Sequence, residues 1–357
     1  MKGRPQRSEA EKALKKVFIK DIKERDNVNE AFLVAKKETG ISKSGKPYLN
    51  LRIMDSSGEM EARVWDDAEE VGKGFSKNDV AQIKGFAVAY QGGIQLNVSS
   101  AKTIAEGQYS LRDFLPASAA DPAELAAGLD SIVESIKDRL VKALLKSIFT
   151  DPEVRDRFLT APAAKTMHHP YLGGLAEHVL SICGLAEKII EHYGESINRD
   201  ILLAGALLHD IGKIYELSYQ RSFDYTDEGR LLGHITIGIE LIDRKAAAIP
   251  DFPREISMHI KHLVLSHHGQ LEFGSPKRPK TIEAIILSYL DDLDAKVNTV
   301  RALITDKGDG SNWTSYQKLF ERYIYRGGAP SSEEEASQPD EKKEEAKADK
   351  GTLNLFR

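Results

Sequence analysis

From Val17 to about Glu106 apolar and polar positions alternate. Leu49, Leu51 and Ile53 share one face of an extended chain. The segment Asp55 to Gly58 is rich in turn residues, and Met60, Ala62 and Val64 then resume the alternation. A period of two, broken by a turn, predicts a hairpin. The run "DVAQIKGFAVAYQGGIQLNVSSAKTI" repeats the arrangement around Gln91, Gly92 and Gly93. Five or so short strands with little helix predict a small barrel or sandwich.

The period then changes. Residues 107–120 read as a linker. Asp121 has the character of an N-cap, with Pro122 at the first helical position and Glu124 at the third. From there to Ile148 the spacing of Leu125, Leu129, Ile132, Val133, Ile136, Leu140, Leu144 and Leu145 predicts one helical stretch. "TDPEVRDRFL" is a second capped start, and from Pro162 to Arg326 the chain reads mostly as helices. Residues 327–350 are charged and aromatic-free, a composition that predicts disorder. No internal repeat is found.

Hydrophobic content of 41% and charged content of 29% suit a soluble globular protein. A net charge of −5 neither selects nor excludes nucleic acid, because a local basic face is enough. Cys183 is the one cysteine, so no disulfide can form within the chain, and a reducing compartment is expected. "MKGRPQRSEAEKALKK" lacks the apolar core of a signal peptide, and no apolar stretch approaches the ~20 residues that span a bilayer. A cytoplasmic protein with no membrane contact is expected.

All ten histidines lie between His168 and His268. The apolar run "ILLAGALL" ends in His209 and Asp210, a pair that is costly to bury without a partner. His178, His234, the pair His267–His268 and Asp291 complete a series of imidazoles and carboxylates near helices or helix ends. These residue types suit a divalent transition metal, and helical proteins build such sites from inward-facing side chains. Taken singly, each has a plainer explanation: a satisfied core histidine, a turn, a charged helix end beside Asp292 and Asp294. His192, His259 and His262 read as surface or structural residues.

The order H…HD…H…HH…D, with "HDIGK" as its strongest local signature, resembles the HD-domain superfamily of metal-dependent phosphohydrolases. "GKPYLNLRIMDSSGEMEARVWDD" with "GFSKNDVAQIKGFAVAYQGGIQLNV" resembles an OB-fold that binds single-stranded nucleic acid. Together with "HHPYLGGLAEHVLSI", "GHITIGIELI" and "LVLSHHGQLEFGSPKRPK", the chain is similar to the YhaM-type 3′–5′ exoribonucleases from about residue 15 to residue 326. The resemblance implies a multidomain α+β protein. Residues 15–108 would be the OB-fold, 109–160 a linker with connecting helices, 161–326 an all-α HD domain and 327–357 a disordered tail.

The same resemblance implies that His178, His209, Asp210 and Asp291 hold one metal. His234 and His267 would add a second, with Asp210 bridging. Lys213 would stand near the scissile phosphate; Asp210, Lys213 and His268 are the catalytic candidates, and whether His268 is a ligand or a substrate contact stays open. Two Mn²⁺ are implied, while residue types alone admit Fe, Co or Ni. His168 and His169 would reach substrate phosphates or else support the ligands. Lys277, Arg278 and Lys280 would form the lip of the site. On the barrel, Tyr48, Arg52, Arg63 and Trp65 are the candidate strand contacts, with Lys43, Lys46 and Tyr90 beside them; Phe86 is expected in the core. The expected activity is hydrolysis of single-stranded RNA, or single-stranded DNA, to nucleoside 5′-monophosphates. A phosphohydrolase of small nucleotides with a regulatory OB-fold is the second reading, and a non-catalytic nucleic-acid-binding protein the third. Thr352 to Phe356, "TLNLF", resembles the bacterial sliding-clamp-binding pentapeptide, with Thr352 where that motif has glutamine. Self-association into a homo-oligomer is left open.

Overall fold

The structure is a computed structural model that describes residues 15–165, 169–219, 223–305 and 311–327. His168 and the Thr352–Phe356 peptide lie outside the described residues. The chain divides after Thr299 into two units.

In the first unit the alternating segment forms five strands: β1 (Asn27–Ile41), β2 (Pro47–Asp55), β3 (Gly58–Val64), β4 (Val80–Tyr90) and β5 (Gly93–Thr103). They close in the order β1-β2-β3-β5-β4, with β4 paired back to β1. The β2–β3 register sets Asp55 opposite Gly58, and the β4–β5 register sets Tyr90 opposite Gly93, as the turn residues predict. Leu49, Leu51 and Ile53 point inward with Phe32, Val64, Ile83 and Leu96. Phe86 departs from expectation and is 42% exposed, because it lies on the outer face of β4 rather than among those inward positions. The helix α1 (Ala68–Lys73) joins β3 to β4.

Beyond the barrel the helical stretch expected from Pro122 to Ile148 is two helices, α2 (Pro122–Ser135) and α3 (Arg139–Phe149). Apolar spacing alone does not show the break. Ile136 adopts an extended conformation, and Asp138 caps α3 by accepting from the amides of Leu140 and Val141. Asp121 caps α2, and Asp151 caps α4 (Pro152–Thr160) through the amides of Glu153 and Val154. These helices share one apolar cluster with α5 (Gly174–Tyr193) and α6 (Arg199–Leu208), and Leu33 and Val80 of the barrel belong to it together with Phe114 and Leu115. After the short α7 (Lys213–Glu216) come α8 (Asp227–Ala247), α9 (Arg254–Ser266) and α10 (Ile282–Thr305). In the second unit, Trp313 pairs with Tyr325 and Gln317 with Arg322 in an antiparallel turn. Among the described residues no helix is long and apolar enough to cross a membrane.

Candidate metal centre

α6 is buried along Ile201–Leu208 and delivers His209 and Asp210 into the interior of the helical body. A tight turn follows, and Gly212 is required there. A Cβ at this position would lie 1.9 Å from the carbonyl oxygen of His234 and 2.7 Å from the amide nitrogen of Gly238. The glycine therefore lets the turn press against the backbone of α8. That helix is itself broken at Gly233, at φ 74° and ψ 157°, and restarts with His234. α5 supplies His178, the end of α9 supplies His267 and His268, and α10 supplies Asp291.

The two oxygens of Asp210 face different partners. Oδ2 is 3.3 Å from His209 Nε2 and 3.8 Å from His178 Nε2, and it accepts a 2.6 Å bond from Lys213 Nζ. Oδ1 is 3.4 Å from His234 Nε2 and 3.6 Å from His267 Nε2. Asp291 Oδ1 completes the first group, 3.2 Å from His178 Nε2 and 3.8 Å from His209 Nε2. The possible donor atoms of His178, His209 and Asp210 lie within 4.8 Å of one another, as do those of His234, His267 and His268.

Each of the four inward imidazoles is held by its other nitrogen. His209 Nδ1 donates to Ala206 O at 2.9 Å and His267 Nδ1 to Val264 O at 2.7 Å. His178 Nδ1 donates to Asp294 Oδ2 at 2.7 Å, and His234 Nδ1 to Glu216 Oε1 at 3.2 Å. This fixes the tautomer and turns Nε2 toward the centre, the arrangement that orients metal-binding histidines. Nε2 of His209, His234 and His267, Nδ1 of His268 and Oδ1 of Asp210 are all buried with no hydrogen-bond partner among the described residues. Burying such atoms unsatisfied costs kilocalories each. Imidazole nitrogen and carboxylate oxygen without thiolate fit a divalent transition metal, which would satisfy them together.

The carboxylates set the charges at this centre. Burial alone would raise the Asp210 carboxyl, but Lys213 and His209 outweigh it and hold it well below its ordinary value. Burial opposes the charged form of His178, yet hydrogen bonds to Asp291 and Asp294 push it up to about 9. His267 is held neutral, well below its usual range, by burial and by the neighbouring His209 and His268. A neutral imidazole is the form that ligates, so His267 is ready as it stands and His178 must give up a proton to do so.

Residues 175–296 match the family profile described as HD domain, and residues 32–104 match that of the OB-fold nucleic acid binding domain. The chain joins an OB-fold to an HD domain. Among solved structures it is similar to the second OB-fold domain of replication protein A from Methanococcus maripaludis, at 17% identity, covering 26% of this chain and 96% of that one, with a TM-score of 0.22.

In the HD domain the six expected ligands come together, and Lys213 and His268 line a cavity of about 190 Å³ beside them with Phe273 and Asp291. His169 is 3% exposed and stands behind His178: its Nε2 lies 3.1 Å from Asp294 Oδ2 and its Nδ1 2.6 Å from the Tyr171 hydroxyl. Lys277 and Lys280 line a separate groove with Arg254 and Lys261, and Arg278 is exposed. Sequence reasoning missed Asp294 and Glu216. Asp294 lies in a charged run and Glu216 follows the plain "KIY"; the signal lies in helical spacing, Asp294 one turn after Asp291 and Glu216 one turn after Lys213.

On the OB-fold, Tyr48 and Trp65 stack with ring centroids 4.9 Å apart and planes at 27°. The Arg63 guanidinium lies 5.3 Å from the Trp65 ring and 5.2 Å from that of Tyr90. Lys43 and Lys46 line the same concavity, of about 650 Å³. Arg52 is engaged elsewhere, with Glu61 at 3.2 Å and Glu59 at 3.7 Å.

Proposed function

We propose that this chain is a metal-dependent 3′–5′ exoribonuclease that shortens single-stranded RNA to nucleoside 5′-monophosphates. The supporting observation is the division of Asp210: one oxygen faces His178 and His209, the other His234 and His267. His178, His209, Asp210 and Asp291 would hold one divalent ion, and Asp210, His234 and His267 would hold a second. Mn²⁺ is the ion that the resemblance to the YhaM-type enzymes implies. Bound ions of this kind polarise a phosphate ester and bring the ionisation of water near neutral pH.

The chain's own residues do the rest. Lys213, buried and held on Asp210, sets a fixed positive charge at the cavity wall where phosphoryl oxygens gather negative charge. His268, half-buried and kept neutral by burial, lines the same wall and is placed to contact the substrate. Asp294 and Glu216 hold His178 and His234 in position. The stacked Tyr48–Trp65 pair with Arg63 offers a sequence-tolerant grip on unpaired bases, which favours a polymer over a free nucleotide.

The test is an oligoribonucleotide labelled at its 5′ end and incubated with Mn²⁺. Stepwise shortening from the 3′ end by the parent chain, abolished in Asp210→Ala, is expected. Hydrolysis of free nucleotides with the oligomer left intact, or equal turnover by the Asp210→Ala variant, contradicts the proposal.

A further inference from the structure

The metal cavity is not the one concavity of the HD domain that suits an anion. α9 presents Ile260, Leu263 and Val264 to the core and ends in His267, which faces Asp210. Its outer side carries Arg254, Met258, Lys261 and Leu265. These line a groove of about 420 Å³ whose other wall includes Lys277 and Lys280. Among the described residues no carboxylate lines the groove. Lys261 pairs with Asp243 at 2.7 Å, whereas Arg254, Lys277 and Lys280 make no ion pair among the described residues.

The second wall is fixed in place. The amide of Lys277 donates to Leu265 O at 3.3 Å, that of Lys280 donates to His262 Nε2 at 2.9 Å, and Ser275 Oγ donates to Lys277 O at 2.8 Å. The segment thus holds its two lysines against α9 through its backbone, and the ammonium groups stay available to a ligand.

We propose that this groove is a second nucleic-acid contact, separate from the metal cavity, that takes the sugar–phosphate backbone of single-stranded RNA outside the reacting end. From Arg254 to Lys261 the helix rises about 10 Å, and the backbone of Lys277 is held at Leu265 about 6 Å further along, which spreads the cations along a line rather than around one point. A single phosphate would use one or two of them; a polymer with a charge on every residue uses the line. Met258, 55% exposed, and Leu265 between the cations give apolar surface for sugars and bases, which inorganic anions do not need. The choice of RNA as the polymer rests on the function proposed above.

The experiment separates the groove from the activity. Binding of a fluorescent 20-nucleotide RNA is measured in EDTA, where no hydrolysis intervenes, for the parent, for Arg254→Glu with Lys261→Gln, and for Lys277→Gln with Lys280→Gln. Each double variant, checked for an unaltered thermal midpoint, is expected to bind at least fivefold more weakly. The slope of log Kd against log salt should fall by about 0.7 for each phosphate that the variant no longer neutralises. With Mn²⁺, kcat/KM on the 20-mer should fall several times further than on a small activated phosphodiester. Undiminished RNA affinity in both double variants, or equal decreases on the long and short substrates, overturns the groove. A parent that binds the RNA but hydrolyses neither substrate counts against the proposed activity alone, and the binding comparison still decides the groove.

Discussion

Asp294 shows how much of this site depends on a residue that carries no motif. Its Oδ2 accepts from His178 at 2.7 Å and its Oδ1 from Ser181 Oγ at 2.5 Å, so one carboxylate ties α10 to α5 and aims the His178 ring. Removing such a partner costs metal affinity rather than a ligand. Asp294→Asn is expected to weaken Mn²⁺ binding by about 10- to 100-fold in calorimetric titration. Unchanged affinity would show that His178 is aimed by packing alone. The ligand candidates were legible in the sequence because histidines and aspartates broke apolar runs, where a polar residue needs a reason. Asp294 and Glu216 were not, because a carboxylate beside Asp292, or after "KIY", looks the same whether it faces water or an imidazole.

At the scale of the element, caps proved more readable than breaks. Asp121 and Asp151, each followed by proline, announced α2 and α4, and both accept the expected amides. The break between α2 and α3 was hidden because Leu125 to Leu145 keep helical spacing across it. What interrupts the helix is Asp138 as a new cap, with Asp200 of α6 accepting from the amides of Lys137 and Asp138. Asp151 also receives Lys245 Nζ of α8 at 2.7 Å, and that bond, more than its backbone partners, holds its carboxyl below the ordinary value. A depressed folded-state value means that its stabilisation is complete above about pH 4 and is lost as pH falls through the folded value. Asp151→Ala is expected to cost about 1 kcal/mol near neutrality in urea unfolding. The gap between variant and parent should close on acidification; a gap that widens instead would contradict the assignment.

For the molecule as a whole, the two domains divide the work. In the proposed function the OB-fold would hold a strand and the HD domain would carry the chemistry, and one apolar cluster runs from the helical body to Leu33 and Val80 of the barrel. The barrel was legible because period two and its turn residues specify register; which outward residues converge was not, since that depends on how β2 and β3 lie side by side. That register puts Arg52 opposite Glu61, whereas Tyr48 and Trp65 near the other end of the same ribbon stack. Trp65→Ala is expected to weaken binding of single-stranded RNA by about 1–3 kcal/mol in fluorescence anisotropy, the usual worth of one stacked base. Equal binding by variant and parent would move the strand to another face of the barrel.

At the centre of the molecule, Asp210 is expected to hold two divalent ions together. Mn²⁺ stoichiometry, read by titration with elemental analysis of the dialysed protein, tests this most directly. Two ions per chain are expected for the parent, and Asp210→Ala should lose at least one of them with a sharp fall in affinity for the other. A parent that retains no Mn²⁺, or an Asp210→Ala variant that retains two with unaltered affinity, would contradict it.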